Sequence, residues 1–366
     1  FFFKQKTAYE IIAGDWSSDV CSSDLDGGAG VAIDHHHRRR LDRRPHPAPT
    51  RVSTSKKRPP ARRGSARLFR GTPGNLDLLA KVLRRGGLVG VPTETVYGLA
   101  ADALDAEACA GIYRAKGRPP TDPLIVHVLS AREAEKIAHL NPAARRLAAA
   151  FWPGPLTLVL EKRVGVPDIV TAGLGSVAVR VPAHALFRRL LRVTGRPLAA
   201  PSANPFGYVS PTTAEHVRAG LGERIGHILD GGACSVGLES TIVDVRDPAR
   251  PRLLRPGAIT REQVEQVLRR KVGSGRTAGS ARKAQLAPGM LKRHYSPRTP
   301  VTLHERLSAK AVTTGGKKDA WVFAARPKGV TRDNIFWLDP RGDLRGAARR
   351  LFALLRRLDN AGHTRI

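Results

Sequence analysis

Leu88-Val89-Gly90-Val91-Pro92-Thr93-Glu94-Thr95-Val96-Tyr97-Gly98-Leu99 begins as a short apolar run and turns polar just past a proline. The run, set off by Gly86-Gly87 in front, reads as a buried strand, and the polar turn reads as the loop it feeds. Ligands of open α/β sheets sit beyond strand ends of this kind. The hydroxyls of Thr93 and Thr95 could bond a small polar molecule there. A turn whose threonines only satisfy nearby backbone groups has the same composition. The stretch therefore argues for a fold before it argues for a chemistry.

Working outward, Asn75 is placed to cap a helix with Leu76, Leu79, Val82 and Leu83 on one face. Ser130 with Glu133, Thr212 with Glu215, and Thr260 with Gln263 match the capping-box spacing. Apolar runs at 124–128, 156–160, 177–181 and 241–245 read as strands between those helices. This mixture makes 71–272 one α/β domain. A stretch rich in Gly, Ser, Lys and Arg then opens a linker over 273–300. Beyond it, 301–303, 320–323 and 335–338 read as strands and 347–358 as an amphipathic helix. These begin a second α/β unit over 301–366.

The 366 residues, 41% of them hydrophobic, suffice for two folded units with tails. No apolar run approaches the roughly 20 residues of a membrane-spanning helix. Cys21, Cys109 and Cys234 form neither a disulfide framework nor a metal-binding spacing. The expectation is a soluble, cytoplasmic protein with no membrane partner. The formal net charge of +31 points to polyanions such as RNA or nucleotides. Much of it lies in 38–70, where thirteen Lys and Arg face only Asp42; a coding bias toward Arg and Ala yields the same excess. Residues 1–25 lack the layout of a signal peptide and resemble a translated sequencing-adapter read, so they are expected to be non-native. Residues 26–70, without hydrophobic periodicity, read as a disordered basic tail.

Further polar groups recur at strand and helix ends. Lys116-Gly117-Arg118-Pro119 closes a helix, and the stiff Pro119-Pro120 exit would project both cations into a loop suited to phosphate. Cations that merely complement the helix dipole are the ordinary alternative. His127 stands alone in an apolar strand, where a hydrogen-bonded core histidine is the commoner case. In Ser176-Val177-Ala178-Val179-Arg180, alternation puts Ser176, Ala178 and Arg180 on one face. Burying that arginine demands an anion, either a ligand or a neighbouring acid. Ala200-Pro201-Ser202-Ala203-Asn204, then Ser210, Glu239-Ser240-Thr241 and Arg255-Pro256-Gly257, add small and polar residues at further strand ends.

In order, PTETVYGLA, KGRP, PLIVHV, FWPGPLTLVL, VAVRVP, PSANPFG, ESTIVD and RPGAI resemble the signature of YrdC-like threonylcarbamoyl-AMP synthases over about 200 residues. Pro288-Gly289-Met290-Leu291-Lys292-Arg293-His294-Tyr295-Ser296-Pro297 resembles the linker of that family's two-domain branch. The resemblance implies a YrdC-like twisted open sheet with helices around a ligand cleft, a linker, and a partial Rossmann-like α/β domain. Phe206 departs from the small residue expected before the glycine of PSANPFG, and 301–366 is expected to be an incomplete domain.

The implied reaction joins L-threonine, bicarbonate or CO2, and ATP into threonylcarbamoyl-AMP and pyrophosphate, with Mg2+ accompanying ATP. The product serves threonylcarbamoyladenosine modification of tRNA through a downstream threonylcarbamoyl transferase complex, with RNA contact as a further implied property. By motif, Lys116 and Arg118 carry the chemistry on phosphate. Thr93, His127, Arg180, Ala200 and Ser240 hold L-threonine. Ser176, Ser202, Asn204, Ser210, Arg255 and the lid residue Tyr295 join Lys116 and Arg118 in holding ATP. No side chain is an evident nucleophile, so positioning and electrostatics would do the catalysis. Two other classes compete. A non-catalytic RNA-binding module would interleave basic residues with exposed aromatics, yet aromatics are 5% of the chain. A hydrogenase-maturation-type carbamoyltransferase carries paired CxxC zinc motifs, which this sequence lacks.

Overall fold

The computed structural model describes residues 65–275, 284–289, 295–304, 312, 316, 318–327 and 332–366. Residues 1–64, with the adapter-like segment and most of the expected tail, lie outside them. The strands are β1 (Arg67–Arg70), β2 (Val89–Val91), β3 (Gly98–Asp102), β4 (Ile125–His127), β5 (Ala138–His139), β6 (Leu156–Lys162) and β7 (Ser176–Arg180). They continue as β8 (Leu198–Ala199), β9 (His227–Asp230), β10 (Thr241–Asp244), β11 (Arg252–Arg255), β12 (Gly273–Ser274), β13 (Trp321–Ala325) and β14 (Ile335–Asp339). The first twelve form one mixed sheet in the order β1-β9-β2-β3-β8-β4-β7-β6-β10-β11-β12, with β5 on β6. The fold class is α/β, as the sequence indicates.

The strands at the centre are buried along their length, β7 and β10 without an exposed residue. That burial explains why they read as plain apolar runs with no alternation. Helices pack on the sheet through apolar stripes. Leu76, Leu79 and Leu83 of the helix Pro73–Arg84 meet Phe187, Leu190 and Leu191 of the helix Ala185–Thr194. Thr260 and Gln263 form the reciprocal capping box expected of them.

The tail was expected to run to residue 70, but β1 occupies Arg67–Arg70, paired in parallel with β9. Its flanking arginines hide a strand whose Phe69 is buried. Two caps fall elsewhere than expected, because nearby residues compete for the position: Thr72, three residues earlier, caps the first helix instead of Asn75, and Thr213 takes the place of Thr212. The linker begins as β12, bonded to β11, and 301–303 is not a strand. In the C-terminal segment, β13 and β14 pair in parallel beside the helix Leu344–Asp359. That helix does not stand apart. Its Leu351, Phe352, Leu355 and Leu358 share one core with Val96, Val209 and Leu238 of the main sheet unit.

Candidate active site

The loop after β2, the ends of β4, β7 and β11, and the entries to β10 and the linker surround one cavity. Its free volume of about 20 Å³ is room for a single water molecule. On one side the Thr93 hydroxyl donates to the Val96 carbonyl at 2.6 Å and accepts from the backbone N–H groups of Thr95 and Val96. That knot points Thr95 at Arg180, whose Nη1 donates to Thr95 Oγ1 at 2.9 Å. Arg180 Nε donates to the Gly154 carbonyl at 3.1 Å, and Nη2 donates to Glu94 Oε1 at 2.5 Å. Glu94 Oε2 accepts from the Ala183 N–H. Burial alone would raise the Glu94 carboxyl, but the Arg180 guanidinium and these hydrogen bonds hold it below the usual carboxylate range.

A guanidinium carries five N–H donors. Among the described residues Arg180 uses three of them, which leaves two. Beside it across the β4–β7 ladder is His127. Burial, and then the Arg180 charge, push this imidazole down to about 3, so it is neutral. Its Nδ1 has no hydrogen-bond partner among the described residues. Ala200 and Gly98 keep the wall thin; a Cβ on Gly98 would stand 3.2 Å from that of Ala200.

The other side is built on Arg255. Its Nε and Nη2 donate to the Ser240 carbonyl (3.0 Å) and hydroxyl (2.9 Å), and Nη1 donates to Tyr295 Oη at 3.3 Å. Glu239 Oε2 lies 3.7 Å away. Arg118 also lines the cavity, anchored to the Asp122 and Pro123 carbonyls and 3.0 Å from Asp122 Oδ2. Tyr295 has a left-handed backbone (φ 57°), and with Pro288 and Gly289 it brings the linker over this wall. Residues 290–294 of the linker motif lie outside the described residues.

The expected site residues thus separate. Thr93, His127, Arg180, Ala200 and Ser240 line the cavity, as do Arg118, Ser202, Arg255 and Tyr295. Lys116, Ser176, Asn204 and Ser210 do not. Lys116 was expected to project beside Arg118, but left-handed Gly117 turns the chain between them. The Lys116 ammonium is buried beneath the loop that follows β8, bonded to the carbonyls of Ser202 and Asn204. Burial and the nearby Arg118 charge hold its pKa well below the usual lysine value. Ser176 begins the strand that Arg180 ends, roughly 13 Å away at strand rise. Asn204 donates to the Pro205 and Tyr208 carbonyls and so shapes its own loop. Ser210 Oγ donates to Glu239 at 2.7 Å, one step behind the wall. Phe206 does not line the cavity; its N–H bonds the Lys116 carbonyl. The sequence reading misses Glu94 and Glu239, and the Thr95 hydroxyl, read there as a group for a ligand, accepts from Arg180. The signal for the acids was present, since a buried arginine needs a counter-charge.

The family model described as "Telomere recombination", of the Sua5, YciO and YrdC proteins, matches residues 81–257, and "Threonylcarbamoyl-AMP synthase, C-terminal domain" matches 259–366. The chain is 41% identical over 300 residues to the threonylcarbamoyl-AMP synthase of Pyrococcus abyssi, covering 78% of this chain and 86% of that protein. It is 44% identical over 228 residues to the Bacillus subtilis protein of the same name, covering 62% and 65% of the two. The crystal structure of P. abyssi Sua5 complexed with L-threonine superposes with a TM-score of 0.74 at 39% identity, over 82% of this chain and 90% of that one.

Proposed function

From the premise that the chain belongs to the threonylcarbamoyl-AMP synthase family, an enzyme family of adenylyl transfer, we propose that the cavity joins L-threonine, bicarbonate or CO2, and ATP into threonylcarbamoyl-AMP and pyrophosphate. The observation that carries the assignment of the two ends is the Arg180 guanidinium. Glu94, Thr95 and Gly154 orient it, and two donors remain for a carboxylate. Neutral His127 beside it supplies an unpartnered nitrogen for threonine's polar groups. Arg118 and Arg255 face the phosphates, and Ser202 and Ser240 bond from the strand ends. Carbamate formed on the threonine amine is unstable in water, so a recessed cavity between strand ends suits it. Its oxygen would then attack the α-phosphorus, with the arginines stabilising charge on the phosphate oxygens. Pro288, Gly289 and Tyr295 of the linker bound this cavity on the phosphate-facing side.

Arg118, Arg180 and Arg255 each sit beside an acid, so the cavity itself offers little net positive charge to a polyanionic nucleotide. No group of three metal-ligating side chains occurs among the described residues. Both facts fit a Mg2+ that enters on the ATP phosphates, as is usual for this ion, with Glu239 as the carboxylate available at the cavity. The ion would supply charge neutralisation. In this reading the unstable product passes to a downstream threonylcarbamoyl transferase for tRNA modification. The setting would be cytoplasmic, with RNA contact through the basic surface; no helix among the described residues is long and apolar enough to cross a membrane. Incubation with ATP, L-threonine and labelled bicarbonate tests the reading. It should yield an acid-labile labelled adenylate, and pyrophosphate release indifferent to threonine would overturn it.

A further inference from the structure

The helix Leu344–Asp359 carries a charge into the protein. Arg356 is 5% exposed and has no carboxylate within ion-pair distance among the described residues. Its donors go to backbone instead: Nη2 to the Val209 carbonyl at 2.6 Å, Nε to that of Ser210 at 3.3 Å, and Nη1 to that of His216 at 3.4 Å. The guanidinium also covers the Tyr208 ring, 4.8 Å from its centroid. A buried cation without these acceptors would be strongly disfavoured. The helix and the 208–210 segment therefore hold each other in place.

That segment leads to the cavity. Ser210 offers its carbonyl to Arg356 and its hydroxyl to Glu239, and Glu239 neighbours Arg255. A second path starts one turn earlier on the same helix. Phe352 stacks on Tyr295 with centroids 5.7 Å apart, and Tyr295 accepts from Arg255. Both paths of directed contacts converge on Arg255; on the Glu94–Arg180 side the helix shares an apolar core with Val96 but makes no hydrogen bond to that pair. We infer that Arg356 is a positioning residue for the phosphate-facing half of the site, acting through Ser210 and Glu239 on Arg255, so that docking of the C-terminal helix and nucleotide binding are thermodynamically coupled. The inference rests on the proposed function only in taking that half as the nucleotide's.

Coupling is reciprocal, and values are typically at least about fivefold in affinity. In the full chain, ATP with Mg2+ should slow amide exchange in 344–359, and L-threonine alone should not. Arg356→Lys should weaken ATP binding at least about fivefold and leave the L-threonine dissociation constant within about twofold. Ser210→Ala should do the same, and the double variant should lose little beyond either single one, because one path is cut twice. Losses that multiply, or a parallel fall in threonine affinity, would reduce Arg356 to a structural residue. If Arg356→Lys does not fold, the exchange measurement on the unaltered chain decides. ATP that binds without protecting the helix overturns the coupling alone, whereas ATP that does not bind overturns the functional reading beneath it.

Discussion

Arg180→Ala separates recognition of the substrate carboxylate from stability of the buried pair. The guanidinium makes three internal bonds, one of them to a carboxylate that is itself buried. Removing one member of such a pair leaves the other charge uncompensated, at about 3–5 kcal/mol. For a domain of this size that lowers Tm by roughly 6–20 °C. Loss of the two remaining donors is a separate effect of about 1.5–3 kcal/mol on L-threonine, or roughly 10- to 150-fold in its apparent affinity. The double variant Glu94→Ala/Arg180→Ala removes the stranded charge, so it should regain much of the Tm and none of the threonine affinity. Adenylate synthesis measured against threonine and against ATP in turn, with thermal unfolding of the same samples, gives all three quantities. A folded Arg180→Ala protein with unchanged threonine dependence would refute the assignment. So would equal increases in the threonine and ATP requirements.

Asp359 predicts an acid limb. Burial pushes its carboxyl up, but the Thr299 N–H, the Tyr208 hydroxyl and Arg298 outweigh burial and bring it down to about 2. A depressed pKa contributes stability above the ordinary value of 3.8 that is lost as pH falls toward 2. Asp359→Asn should flatten the stability–pH curve in that window, and a limb of unchanged steepness would contradict it. Tyr295→Phe removes the nearer of two acceptors of Arg255 Nη1 and should raise the ATP requirement about tenfold without touching that for threonine; steady-state kinetics in both substrates checks this. A chain begun at Gly71 loses β1 and with it the burial of Phe69, about 1.5–3 kcal/mol. Its denaturation midpoint should fall relative to a chain begun at Ser65.

What the sequence disclosed depended on the range of the forces involved. Strands such as 156–162 and caps such as Thr260 are set by neighbours a few residues away, and they were legible. β1 was not, because Arg67 and Arg70 obey the composition of the tail while Leu68 and Phe69 obey a partner 160 residues further on. The candidate site was legible as motifs but not as pairs. Nothing local says that Glu94 belongs to Arg180, or that Lys116 turns inward at Gly117 while Arg118 turns toward the cavity. The role of Ser210 was displaced by one bond for the same reason: its partner Glu239 is distant in sequence.

The insertion of β9 between β1 and β2 also dictates when the molecule can begin to work. β1 and β2 are close in the chain, yet a strand from 227–230 separates them in the sheet, and β8 likewise separates β3 from β4. Closing such long loops is slow compared with forming local contacts. On the ribosome, Thr93 would emerge early and wait for Arg180, then for Ser240 and Arg255, before any wall of the cavity had its opposite. A nascent chain halted before Arg255 is therefore expected to lack the phosphate-facing half of the site. The activity arrives late and all at once, after strands far apart in the chain have met.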